Sequence, residues 1–428
     1  MEGKTNRLRT TAEIGKLVAR HYVDLNQAHE RGLKVAWTCG GGPFLPLLAM
    51  DVVYHHAPSY AAWCCGRKVN DEMLRYSESA GYLPELCSYK KVSYAAALQI
   101  MGGIPMRPEV MLPKPDFIFG VRNCPLMLFW LDSIARLMDV PLMTIEQPQP
   151  ATLRDYDLNY ERNLAYVERQ ITQNVIPFLE DVTGRRLDYE RLGKLVGIMG
   201  RVVELRRYSR ELTKNIPSPC TFFEFGMSQA PVMNLAGEEE ALGYFERFRA
   251  ELEQRVAQGI AAVPGEKYRL YWHHIPVWHK IGHLTEKLAS YGACLVAAEY
   301  SHGEGFPSDP NIYNPEQPIP SIARQIVYSS RARIPEVRDE HLVKLLQGYS
   351  IDGLILHNHQ TCKYIDIGEP DLLLHVEETL GKPGVMIDCD AVDPSYYSEA
   401  EWDMKLKALL EVIDARRKAR RSARSESM

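Results

Sequence analysis

Two patterns of apolar and polar residues alternate along the chain. Short apolar runs bounded by glycine, proline or polar residues predict buried strands, whereas apolar residues recurring every third or fourth position predict helices. The first pattern occupies 34–38 (KVAWT), 52–54, 116–120 (DFIFG) and 141–145 (PLMTI). Between these runs, Gly40, Gly41 and Gly42 lead into Pro43 and an apolar helix, and a polar helix is predicted over 70–79. Cys124 and Pro125 open a further helix that puts Met127, Leu131, Ile134 and Met138 on one face. Proline at the first helical position and glycine in the turn before it suit such starts.

From 151 to 265 the strand pattern disappears. Leu164, Val167, Ile171 and Phe178 recur at helical spacing, as do Leu192, Leu195, Met199 and Val202; Gly184 stands where the first of these helices should stop. The stretch 266–415 returns to strands at 268–272 (YRLYW), 293–298, 353–357 (GLILH) and 384–388 (GVMID), with helices ending near 290, over 336–349 and from Glu399. The two strand-bearing stretches align by eye. The run 116–120 followed by Cys124 matches 352–357 followed by Cys362, and VPLMTIE at 140–146 matches KPGVMID at 382–388. The predicted fold is α/β: two doubly wound (Rossmann- or flavodoxin-like) domains over 1–150 and 266–415, joined by a helical connector over 151–265. A charged tail over 416–428 is expected to be disordered.

Composition narrows the class. The 428 residues are 46% apolar, enough for more than one core. A net charge of −5 and a pI near 6.3 argue against a nucleic-acid binder. The first residues lack the apolar core of a signal peptide, and no uncharged apolar run approaches the roughly 18 residues of a membrane span. A cytoplasmic protein without a membrane partner is expected. Nine cysteines in that compartment point to buried thiols, ligands or catalysts rather than disulfides. With no CxxC pair, any cysteine metal site must be assembled across the fold.

Cys87 and Cys124 each precede a helix, and Cys362 follows a strand. Open α/β sheets place ligands beyond the carboxyl ends of their strands, and a helix N-terminus favours a thiolate by lowering its pKa. Iron–sulfur clusters accept thiolates from distant parts of a chain. Cys39 also sits just past a strand, so spacing alone leaves it open as a fourth ligand. The bland alternative makes each cysteine a small buried hydrophobe; Cys294 and Cys389, within or ending apolar strands, are expected in the core.

Three flanked cysteines carry a resemblance. Pro84-Glu-Leu-Cys87-Ser-Tyr, Arg122-Asn-Cys124-Pro and His357-Asn-His-Gln-Thr-Cys362-Lys resemble the cysteine stations of the benzoyl-CoA reductase and 2-hydroxyacyl-CoA dehydratase family. The blocks at 34–53 and 384–388 extend the likeness over roughly 5–415. The resemblance implies a substrate-binding subunit with a four-iron, four-sulfur cluster on Cys87, Cys124 and Cys362, one iron position staying open. That pattern demotes Cys39 to a neighbour. It also implies a paralogous cluster-binding subunit, an ATP-hydrolysing iron–sulfur activator, a ferredoxin upstream and an acyl-CoA substrate. The absence of a GxxxxGK[ST] phosphate loop from this chain fits ATP chemistry lying elsewhere.

Within the family, 268–284 and 298–302 look more like the reductase subunits, so ring reduction of an aromatic acyl-CoA is the first expectation and radical dehydration of a 2-hydroxyacyl-CoA the alternative. His273, His274 and His302 are candidate proton donors, or ordinary polar loop residues. His357 and His359 could tune the cluster through hydrogen bonds, or fill a strand's polar end. Gly40, Gly41 and Gly42 are candidates for cradling a coenzyme A phosphate. Trp37, Trp63 and Trp272 either wall a flat substrate or pack the core. A cluster-bearing scaffold or sensor and a zinc hydrolase remain readings of other classes. The sequence at 40–43 does not fit GxGxxG, which disfavours a NAD-dependent dehydrogenase.

Overall fold

Among the described residues, eight parallel strands form two sheets of the same topology. The computed structural model of the protein describes residues 5–40, 45–302 and 309–426. The first sheet contains β1 (Lys34–Cys39), β2 (Val52–His56), β3 (Phe117–Arg122) and β4 (Leu142–Glu146) in the order β2-β1-β3-β4. The second contains β5 (Tyr268–His273), β6 (Ala293–Ala298), β7 (Gly353–His359) and β8 (Gly384–Cys389) in the order β6-β5-β7-β8. Helices cover both faces of such sheets, so their strands read as continuous apolar runs rather than alternating ones. In each sheet the strand order reverses beside the first strand, and the crevice there opens between β1 and β3, or between β5 and β7.

The middle of the chain is helical, as its periodicity predicts. Leu153–Gln170 runs through a π-turn, Ile171–Val175, into Ile176–Thr183, and Gly184 ends it in the left-handed conformation at φ 66°. These helices do not carry a core of their own. Val167, Val196 and Phe248 belong to the same buried cluster as Trp37 and Ile118 of the first sheet. The N-terminal helix Arg9–Asn26 packs on Glu239–Gln258, and Pro318–Arg331 packs on Leu153–Gln170. The second sheet has separate cores on its two faces, one around Trp272, Leu284 and Trp402, the other around Tyr271, Val296 and Leu346.

The charged tail expected to be disordered is instead helical over its described residues, 416–426. Glu399–Glu426 is one helix whose basic residues find partners. Arg416 donates to Gly381 O at 2.9 Å and pairs with Glu377; Arg417 lies 2.7 Å from Asp352 Oδ2 and donates to Lys267 O at 3.0 Å. No helix among the described residues is long and apolar enough to cross a membrane.

One close approach locks the middle helices to the second half. Along the helix Tyr189–Leu212, Gly193, Gly197 and Gly200 form a groove in which Tyr313–Pro315 lies. A Cβ on Gly193 would come within 2.6 Å of Pro315 O, a backbone atom that cannot step aside alone. Gly193→Ala should therefore destabilise the protein by about 1–3 kcal/mol in urea unfolding. Gly15→Ala, on an exposed helix surface with nothing within 4 Å, should instead stabilise it by about 0.5–1 kcal/mol. Equal effects at the two positions would contradict the packing argument.

Candidate functional site

β3 and β7 occupy matching places in their sheets, and each hands the chain to a turn that carries a cysteine. Cys124 has extended backbone and caps the helix Pro125–Met138, whose first residue is the proline that favours a helix start. Cys362 N donates to His359 O at 2.9 Å and precedes the short helix Lys363–Asp366. Cys87 caps Ser88–Met101, and its carbonyl accepts Lys90 N at 2.9 Å and Lys91 N at 3.0 Å. These three cysteines are half-buried; the other six, Cys39 among them, are buried, and none of the nine forms a disulfide. Cys294 and Cys389 lie in the core, as expected from their strands.

Contacts between neighbours bring the three together. Ser88 N donates to Thr361 Oγ1 at 3.0 Å, joining the residue after Cys87 to the residue before Cys362. The Arg333 guanidinium donates to Asn123 O and, at 3.3 Å, to Tyr364 OH, spanning the flanks of Cys124 and Cys362. The thiols of Cys87 and Cys124 lie within electrostatic reach of each other. Behind this group sits Asp390, fully buried. Its Oδ2 accepts Thr361 Oγ1 at 2.6 Å and lies 2.9 Å from His359 Nδ1; its Oδ1 accepts Val392 N and Asp393 N, each at 2.9 Å. Burial pushes the Asp390 pKa up, but His359, Thr361 and the backbone amide of Asp393 outweigh it and hold the carboxyl well below its usual range.

Burial reverses one expectation. A helix N-terminus should lower a thiol's pKa, yet desolvation pushes Cys87 up to about 11, against the lowering by Lys90. Among the described residues no three His, Cys, Asp or Glu side chains converge closely enough to hold a single metal ion. The ligand sulfurs of a multi-iron cluster stand farther apart than those of a mononuclear site, so the three cysteines suit the larger group by donor type and placement.

The histidines turn out to be interior groups rather than loop residues. His273 ends β5, 4.0 Å from Glu369 Oε1, with its pKa lowered to about 3 by burial. His302 is buried against Phe225 and Tyr349, and desolvation holds it well below 6.5. His274 stands apart from both: its ring lies 5.6 Å from His357 and 5.2 Å from His359, within the Asp390 group. Burial likewise lowers its pKa. Each is held as neutral imidazole, able to donate only an N–H. His357 Nδ1 donates to Ile275 O at 2.7 Å.

Gly40 has φ +94°, and a Cβ there would meet Val121 O at 2.8 Å, so this glycine is required by the approach of β1 to β3. Gly41 and Gly42 lie outside the described residues. Trp37 and Trp272 are fully buried, and Trp63 stacks on Tyr22 beneath Arg67. Sequence reasoning missed Thr361, Arg333, Asp390 and Lys90. The last carried a signal: two consecutive lysines inside an otherwise uncharged helix.

Thr361→Val keeps the shape but leaves Ser88 N–H and the Asp390 carboxylate each one partner short. A loss of about 1–3 kcal/mol is expected in urea unfolding, with Thr361→Ser restoring most of it. The buried imidazoles predict acid sensitivity. Desolvation lowers His21 to about 4 and His56, His273 and His357 to about 3. An unfolded imidazole titrates near 6.5, so the unfolded chain binds protons that the fold refuses. Their contribution is complete above about pH 6.5 and is lost as pH falls through that value towards 4 and 3. The urea midpoint should therefore drop between about pH 7 and pH 5; a flat profile there would mean these rings are solvated.

Residues 46–413 match the model of the family described as 2-hydroxyglutaryl-CoA dehydratase, D-component. The (R)-2-hydroxyisocaproyl-CoA dehydratase alpha subunit of Clostridioides difficile is 25% identical over 411 residues, covering 95% of this chain and 97% of its own. A subunit of the benzoyl-CoA reductase of Thauera aromatica is 26% identical over 421 residues, 94% of each chain. The lactoyl-CoA dehydratase alpha subunit of Anaerotignum propionicum is 26% identical, covering 92% of this chain and 93% of its own.

Proposed function

The chain belongs to the 2-hydroxyglutaryl-CoA dehydratase D-component family, and from that premise we propose that it is an iron–sulfur subunit of an enzyme that sends low-potential electrons into an acyl-CoA thioester. The observation that carries the reading is the set of three half-buried cysteines at helix starts, drawn together by the Ser88–Thr361 hydrogen bond and by Arg333. Cys87, Cys124 and Cys362 would hold the cluster. Bound there, a four-iron, four-sulfur cluster supplies single electrons and a Lewis-acidic iron. The chain's own part is to fix the three thiols, to keep the Asp390–His359 pair behind them and to line that side with neutral imidazoles.

For the reaction itself we retain ring reduction of an aromatic acyl-CoA, on the texture of 268–284 and 298–302. A second reading, dehydration of a 2-hydroxyacyl-CoA, is supported equally by identity, since the dehydratase relatives are as similar as the reductase subunit. Partners follow from two observations. The relatives are named as subunits, and the flanks of the three cysteines expose Leu83, Leu126, Phe129, Tyr364 and Ile367, the last at 86%. Exposed apolar groups gathered around a site suit contact with other chains. A paralogous subunit, an ATP-hydrolysing activator and a ferredoxin feeding it complete the proposed system.

The test is anaerobic co-expression with the paralogous subunit, followed by iron, sulfide and EPR analysis. About four irons in this chain are expected, lost in Cys124→Ser and kept in Cys39→Ala. A colourless, iron-free chain after anaerobic reconstitution would sink the proposal. Turnover of benzoyl-CoA against a 2-hydroxyacyl-CoA then separates the two reactions, and retention of coenzyme A on purification excludes a mere scaffold.

A further inference from the structure

Lys90 and Lys91 are successive residues of the helix that starts at Cys87, both are buried, and they meet opposite surroundings. Lys91 Nζ donates to Glu78 Oε1 at 2.6 Å and Pro84 O at 2.7 Å, with Asp393 Oδ2 at 3.6 Å. Lys90 has no carboxylate partner among the described residues. Its Nζ lies 2.6 Å from Cys39 Sγ, 3.4 Å from Met127 Sδ and 4.3 Å from the centroid of the Trp130 ring. Thiol and thioether sulfurs are weak acceptors, and a ring face offsets only part of the hydration an ammonium loses on burial. A buried cation left so poorly matched marks a place where a negative group is to come.

Its position says which group. Cys39 ends β1, while Met127 and Trp130 lie in the first turns of the helix that Cys124 caps. The amino group therefore sits between the helix starts of Cys87 and Cys124, on their inner side, and its charge reaches the Cys87 thiol. We propose that Lys90 is the internal counter-cation of the cluster held by Cys87, Cys124 and Cys362, raising its reduction potential, with Cys39 as the tether of the amine and not an iron ligand. This rests on the cluster reading above. One-electron reduction adds a negative charge to an already anionic group, so a fixed cation nearby stabilises the reduced form more than the oxidised one. Lys90 is thus a positioning residue that acts through the cluster.

The experiment uses the co-expressed complex, with an EPR-monitored anaerobic redox titration of the component that Cys124→Ser removes. Lys90→Met keeps similar volume without charge. It should retain iron and shift the one-electron equilibrium against reduction by at least tenfold, about 59 mV. Lys90→Arg should recover most of that shift, and Cys39→Ala should change the equilibrium less than tenfold. An unchanged potential in iron-loaded Lys90→Met overturns the inference. So does a large positive shift in Cys39→Ala, which would mean that a Cys39 thiolate already neutralises the amine. Should Lys90→Met and Lys90→Gln both lose iron, retention by Lys90→Arg supports the cation, whereas loss in all three assigns Lys90 to packing and overturns it. A wild-type complex in which this chain holds no iron fails the proposed function itself; a wild-type cluster with an indifferent Lys90 fails only this inference.

Discussion

Asp390 lies fully buried just past β8, and its two oxygens collect a hydroxyl, an imidazole and two backbone amides. Those partners come from the end of β7 and from the turn after β8. Through Thr361 the same carboxylate reaches Ser88, the first residue of a helix from the other half of the chain. A buried charge tolerates this only when its lone pairs are used, and removing one hydrogen-bond partner of such a group costs about 1–3 kcal/mol. Other contacts across the same seam reinforce the link: Asn70 donates to Val392 O at 2.6 Å, Trp278 donates to Tyr89 OH, and Lys91 approaches Asp393. The placement of Cys87 against Cys362 depends on this seam rather than on either sheet alone.

The two sheets repeat one topology, yet the ends of their strands carry different chemistry. At the ends of β1 and β3 the first presents Cys39 and Cys124, with the sulfur of Met127 close by; at the ends of β5 and β7 the second presents His274, His359 and the carboxylate they surround. The shared strand order puts Cys124 and Cys362 at equivalent places, although the side chains around them differ. The geometry is built before the charge. With Cys87 pushed up to about 11 by burial, the folded protein holds that group as a thiol, so a metal group bound there must displace its proton.

The strand runs were legible because both faces of each sheet are covered, and residues such as those of β3 and β7 therefore read as unbroken apolar segments. The Cys124 turn was legible for a related reason: Pro125 marks the start of the helix that follows it. What the one-dimensional pattern lacked was partnership across distance. His273 and His302 follow strands and look like loop residues, but the chain folds Phe225, Tyr349 and Glu369 over them. The basic residues after 415 look like a solvated tail, but Asp352, Glu377 and the Gly381 carbonyl stand where a helix can reach them. Asp390 gives no sign in its neighbours of the hydroxyl and imidazole that meet it.

Holding a group and enclosing it are separate tasks for a protein. Three thiols on two domains fix a position, but residues flanking each of them are exposed and apolar, notably Phe129 at 67% and Ile367 at 86%. The one-electron chemistry proposed for this site would need water kept out, because a reactive radical left open to solvent is lost to side reactions. Lys90, Met127 and Trp130 dry the inner side of the site, and nothing on this chain's described surface covers Phe129 and Ile367. On the proposed function the outer wall would come from another chain, and the apolar flanks are the surface on which such a wall would rest.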